Sequence, residues 1–144
     1  MMNIKIKLVD LDMSAPVYAH PGDAGCDLRS AAEVTLKPGQ RAMVPTGLAI
    51  AIPDGFAGFV QPKSGLAAKH GIGVVNGPGL IDSGYRGEIK VILINMDPAE
   101  TFHIDRGDKI AQLVIQPVET VAFDVVDDLE DTTRGAGGFG STGA

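Results

Sequence analysis

Apolar and charged residues alternate from the start of the chain. Ile4, Ile6 and Leu8 are separated by Lys5 and Lys7, the period of two that a half-buried strand shows. EVTLKPGQRAMVP (33–45) reads as two strands joined through Lys37, Pro38, Gly39 and Gln40, with Pro and Gly where a turn wants them. TGLAIAIPDG (46–55) and GFAGFVQP (55–62) follow, each closed by Pro or Gly,. EIKVILINM (88–96) begins with alternation and becomes continuously apolar, which predicts a strand covered on both faces. KIAQLVIQPV (109–118) and VAFDVV (121–126) complete the series. Many short strands at close spacing predict an all-β fold of the sandwich, jelly-roll or barrel type.

One stretch breaks the pattern. SGLAAKHG (64–71) holds helix formers between Ser64, a good N-cap, and Gly71, a good stop,. A helix this short is not stable alone, so it serves as a packed connector or as an anion-attracting N-terminus. The C-terminal stretch DLEDTTRGAGGFGSTGA (128–144) also stands apart: it is rich in glycine and, past Leu129, Phe139 is its one large apolar residue. Such a segment buries too little surface to offset its ordering entropy. It divides the chain into a β-domain, 1–133, and a mobile tail, 134–144, that is either frayed or a lid closing on a ligand.

Composition narrows the function. At 144 residues and 44% hydrophobic content the chain is one domain with a real core,. With no Trp and few aromatics, that core is aliphatic. Eighteen acidic against 12 basic residues leave a net charge of −6, which argues against a general nucleic-acid binder but not against a small phosphate ligand. The single cysteine, Cys26, excludes an internal disulfide,. No run approaches a membrane span and the N-terminus lacks a signal peptide's apolar core,, so the expectation is a soluble, cytoplasmic protein.

Two motifs mislead. GAGGFG (135–140) matches G-x-G-x-x-G, but a dinucleotide fingerprint must open a helix after a strand, and only four residues follow Gly140,. Ser141 stands where the phosphate-loop pattern needs lysine. Cys26 lies beside Asp27, which disfavours a thiolate nucleophile,. His20, His70 and His103 show no metal-ligand spacing,.

The residues PGLIDSGYRGEIKV (78–91) pose a sharper question, because Asp82 sits among apolar and small neighbours with Tyr85 just beyond. Five segments answer it together: AGCDLRSA (24–31), PKSGLA (62–67), NGPGLIDSGYRGEIKV (76–91), GDKIAQLVI (107–115) and RGAGGFGSTG (134–143). In order and spacing they resemble the five motifs of the trimeric dUTP diphosphatases (dUTPases), across nearly the whole chain. The resemblance implies a β jelly roll of the β-clip type with one short helix, assembled as a homotrimer in which each site draws on all three subunits. It implies hydrolysis of dUTP to dUMP and pyrophosphate, with Mg²⁺ as cofactor.

Residue by residue, the resemblance makes Asp82 the base that takes a proton from the attacking water. Tyr85 would pack beneath the deoxyribose and exclude a 2′-hydroxyl. Asn76, Leu80, Ile81 and Lys90 would surround the uracil, in a hairpin around 76–90. Lys63, Ser64, Gly65 and Gln112 would hold the phosphates. Lys63 departs from the arginine common in the family, and loses its two-pronged geometry. Arg134 would reach the γ-phosphate, with Gly140, Ser141 and Thr142 beside it and Phe139 stacked on the base. Asp27 would bind the metal through water. Cys26 replaces the more usual Tyr or Val, and packs as a small hydrophobe. Two rivals share these features: a dCTP deaminase of the same fold, and a nucleotide-binding regulator without turnover.

Overall fold

The alternating stretches become strands, and the computed structural model describes residues 1–143. In chain order these are β1 (Lys5–Leu8), β2 (Cys26–Arg29), β3 (Val34–Leu36), β4 (Arg41–Pro45), β5 (Leu48–Ala51) and β6 (Phe56–Pro62). The helix α1 (Ser64–His70) follows, then β7 (Ile72–Val74), β8 (Gly79–Ile81), β9 (Lys90–Asn95), β10 (Phe102–Ile104) and β11 (Lys109–Pro117). A four-stranded sheet, β2-β11-β6-β8, faces a three-stranded one, β4-β9-β7, and two-stranded ribbons β1-β5 and β10-β3 complete the jelly roll. Every ladder is antiparallel.

The core between the sheets is aliphatic. Leu28, Val60, Ile110 and Leu113 from the larger sheet meet Val44, Ile72, Val91 and Leu93 from the smaller one. Three polar residues are fully enclosed, and each has partners, as buried polar groups must. Asn95 donates its amide to Leu36 O and Glu100 O, at 2.9 and 2.8 Å. Thr46 donates its hydroxyl to Ile89 O at 2.6 Å, and Ser30 donates to Ala32 O.

Several expectations need correction. The turn at 37–40 forms, but its flanking strands part: β3 pairs with β10 and β4 with β9. Strand β9 is buried on one face only, with Ile92 and Ile94 half-buried on the other. Lys63, not Ser64, occupies the N-cap, and Ser64 is the first helical residue; Gly71 closes the helix as expected. No hairpin ladder joins the two halves of 76–90, because β8 pairs with β6 while β9 pairs with β4 and β7. VAFDVV forms no strand. From Val118 to Gly143 the chain makes neither strand nor helix, and Val121, Phe123 and Val125 are exposed. Their alternation is that of a strand, yet among the described residues no edge is paired with them.

Candidate active site

Strand β8 delivers Asp82 to the wall of a pocket. Ile81 ends β8 with its side chain in the core, and a turn begins at the next residue, with Tyr85 N donating to Asp82 O at 3.1 Å. The pocket, about 250 Å³, is lined by Asn76, Leu80, Ile81, Asp82, Tyr85 and Lys90 among others. All six residues assigned to the nucleoside half of the site by resemblance therefore share one cavity.

The loop from Asp82 to Ile89 is pinned at its far end. Ile89 N donates to Leu48 O at 2.7 Å, Thr46 N and hydroxyl both donate to Ile89 O, and Gly47 N donates to Glu88 Oε1 at 3.0 Å. Tyr85 folds back on the loop and donates its hydroxyl to Glu88 O at 2.9 Å. Gly87 makes that possible: a Cβ there would lie 2.5 Å from the Tyr85 hydroxyl oxygen and 2.7 Å from Cζ. A side chain at 87 and this ring position exclude one another.

The phosphate-type residues gather elsewhere. Asp27 on β2 stands opposite Gln112 on β11, and its two oxygens bind two ammoniums, Lys63 Nζ at 2.5 Å and Lys109 Nζ at 2.8 Å. Burial works to raise the Asp27 pKa, but the hydrogen bonds and charges of Lys109 and Lys63 outweigh it and hold the carboxyl below its ordinary value,. Gly25 leaves room for Gln112, since a Cβ there would meet its Oε1 at 3.1 Å. Ser64 and Gly65 follow Lys63 and are exposed, and the Ser64 hydroxyl is not spent on capping. None of Asp27, Lys63, Ser64, Gly65 or Gln112 lines the Asp82 pocket. Within one chain the two groups of expected site residues are thus apart.

The tail joins neither half. Arg134 donates Nε to Gly137 O at 2.8 Å, and turns close at Ser141 and Gly143. Phe139 is fully exposed, and Gly140, Ser141 and Thr142 are exposed with it. Cys26 is buried, with Sγ 3.6 Å from Leu113 O. Burial pushes its thiol pKa up, as suits a packing residue rather than a nucleophile. His103 lies 3.1 Å from both Glu33 and Asp105, a cross-strand grouping that linear spacing does not reveal. All three side chains are largely exposed.

Comparison with known proteins decides the family. The dUTPase family profile matches residues 12–143. The chain belongs to the dUTPase family. Deoxyuridine 5′-triphosphate nucleotidohydrolase of Thermobifida fusca is 61% identical over 142 residues, covering 99% of this chain and 79% of that protein. The enzyme of the same name from Cutibacterium acnes is 55% identical, covering 99% and 94%. A variant of the Staphylococcus bacteriophage 80alpha dUTPase, solved with dUpNHpp, superposes with a TM-score of 0.92 at 29% identity over 100% of both chains. A phage phi11 dUTPase variant with a structural Mg(II) ion superposes at 0.83 with 28% identity, over 90% of this chain and 100% of that one. The protein is an enzyme of this class, a dUTP diphosphatase, and the strand-rich reading agrees with the dUTPase jelly roll.

Within the dUTPase frame, sequence reasoning passed over three residues. Gly87 lies two positions after Tyr85, so its spacing was visible but its contact was not. Glu88 anchors the loop through Gly47, forty-one residues away. Lys109 reaches Asp27 only because of an irregularity in the β11–β2 ladder.

Proposed function

We propose that this chain converts dUTP to dUMP and pyrophosphate by attack of water on the α-phosphorus, with Asp82 taking the proton. A neutral water is a poor nucleophile, and a positioned carboxylate contributes typically 10²–10⁴-fold by removing its proton. The observation that carries the reading is the pocket holding Asp82 and Tyr85 together with the uracil-type residues. Tyr85, seated on Gly87, would block a 2′-hydroxyl. The walls formed by Gly79, Leu80 and Ile81 would crowd the methyl of thymine, and cytosine would leave buried hydrogen-bond groups unpaired. That a phage relative was solved with dUpNHpp supports a uridine triphosphate in this fold.

The working unit in this reading is a homotrimer whose sites combine segments of different copies. Two features support it. The phosphate-type residues lie outside the Asp82 pocket of their own chain. The segment 118–143 also carries Val121, Phe123, Val125, Leu129 and Phe139 in solvent, which calls for burial against another copy. The tail, residues 134–144, then closes as a lid, with Arg134 on the γ-phosphate, Ser141 and Thr142 donating beside Gly140, and Phe139 over the base.

Mg²⁺ fits this site as a passenger on the phosphates. The cation cluster offers a single carboxylate, Asp27, whose two oxygens already bind ammoniums. That set cannot cage a metal, but it suits a hard cation that keeps its waters and binds chiefly through phosphate oxygens. Asp27 would hold those waters. When bound, Mg²⁺ would offset charge developing on the phosphates. Removal of dUTP would limit uracil incorporation into DNA, and the dUMP released would serve dTMP synthesis.

Asp82→Asn tests the reading. The variant keeps its affinity for the non-hydrolysable analogue within a few-fold and loses about 10³-fold in kcat. Near-normal turnover would remove the base assignment. Ammonia released from dCTP by the wild type would favour the deaminase instead.

A further inference from the structure

Asp27 carries one more counterion than a structural ion pair needs. Its carboxylate is 14% exposed and holds Lys63, 22% exposed, on one oxygen and Lys109, 44% exposed, on the other. The trio has a net charge of +1 in a protein whose total is −6. One ammonium would neutralise the carboxylate, and the second leaves the cluster positive, a local charge that suits an anion.

The backbone is bent to bring Lys109 there. Along β11, Leu113, Gln112 and Ala111 stand opposite Cys26, Asp27 and Leu28 in regular register. The next residue, Ile110, should then face Arg29, but Lys109 does. The extra residue is a β-bulge, which re-aims a side chain and is common beside active sites. Ile110 drops into the core, 1% exposed, while Lys109 joins Asp27 and Gln112 on the opposite face. Lys109, Asp27 and Arg29 also border a cavity of about 210 Å³.

We propose that Lys109 is a further phosphate-binding residue of this enzyme, held in reserve by Asp27 until the triphosphate arrives. The inference rests on the dUTP reading of the site. Asp27 holds both ammoniums at short range. An entering triphosphate competes for them, taking Lys63 and Lys109 onto its oxygens, and Asp27 becomes free for other hydrogen bonds. Asp27 thereby lowers triphosphate affinity when no metal accompanies the ligand. A nucleoside monophosphate, with less charge to offer, gains little from Lys109.

Calorimetric titration of the full-length protein, with EDTA present, tests this using dUMP and the imido analogue of dUTP. Lys109→Met should lose about tenfold or more in affinity for the analogue, the worth of one charge-assisted hydrogen bond, while dUMP binding stays within about twofold. Lys109→Arg should restore most of the loss. Asp27→Asn, which releases both ammoniums, should bind the metal-free analogue more tightly than wild type. Unchanged analogue binding by Lys109→Met, an equal loss for both ligands, or weaker metal-free binding by Asp27→Asn would overturn the proposal. Wild-type protein that binds neither ligand would count against the dUTP reading of the site, and the proposal falls with it.

Discussion

The two halves of the candidate site are built on opposite plans. The Asp82 pocket comes mostly from one stretch, residues 74–92, with Met43 and Val60 added from neighbouring strands. The cation cluster comes from three separated places: Asp27 on β2, Lys63 before α1, and Lys109 with Gln112 on β11. The first works by shape, with an aromatic ring, aliphatic walls and a pinned loop. The second works by charge, and its geometry depends on strand register. That one chain holds both but does not join them is what a shared site requires, because copies related by symmetry can supply opposite halves.

The largest effect should come from forcing the Asp82 base and the tail onto different chains. Asp82→Asn chains and chains ending at Thr133 should each be nearly inactive alone. Refolded together, they should regain activity at on the order of a quarter of the sites, by random assortment into symmetric assemblies. Activity no higher than the sum of the separate samples would mean that each chain closes its own site.

A smaller effect isolates the pocket. Gly87→Ala must displace the Tyr85 ring, so the preference for dUTP over UTP in kcat/KM should fall by about tenfold, the scale of a single apolar contact. Asp82 is untouched in this variant, which makes unchanged discrimination evidence against the ring's role.

The mildest effect isolates the cluster. The Asp27 pKa is lowered in the folded protein, below an unfolded value of about 3.9. Its contribution to stability is therefore complete above that pH and is lost as the pH falls through the folded value. The urea midpoint of wild type should exceed that of Asp27→Asn at neutral pH, and the gap should narrow below about pH 4. A gap independent of pH would mean that the ion pairs do not supply it.

How much the sequence revealed follows the same division. Ile4 to Leu8 and Lys109 to Pro117 were legible because their apolar, β-branched residues mark a strand, although Ile6 of β1 is exposed and Ile110 and Ala111 of β11 are both buried. The short strands β2, β7, β8 and β10 were not, since each has three or four residues set among glycine, proline and charged residues that read as turn. VAFDVV has the pattern of a strand but pairs with no edge among the described residues, and pattern alone does not tell whether an edge is free to take it. In the site, Asp82 and Tyr85 sit in a contiguous motif and were read directly. Lys109 was missed because its direction depends on a bulge, and Gly87 because its role is the absence of a side chain beneath a ring.

Single-turnover hydrolysis of dUTP in ¹⁸O-labelled water tests the central claim most directly. Attack on the α-phosphorus predicts one heavy oxygen in dUMP and none in pyrophosphate. Heavy oxygen recovered in the pyrophosphate would contradict the account, for the water would then have struck a different phosphorus.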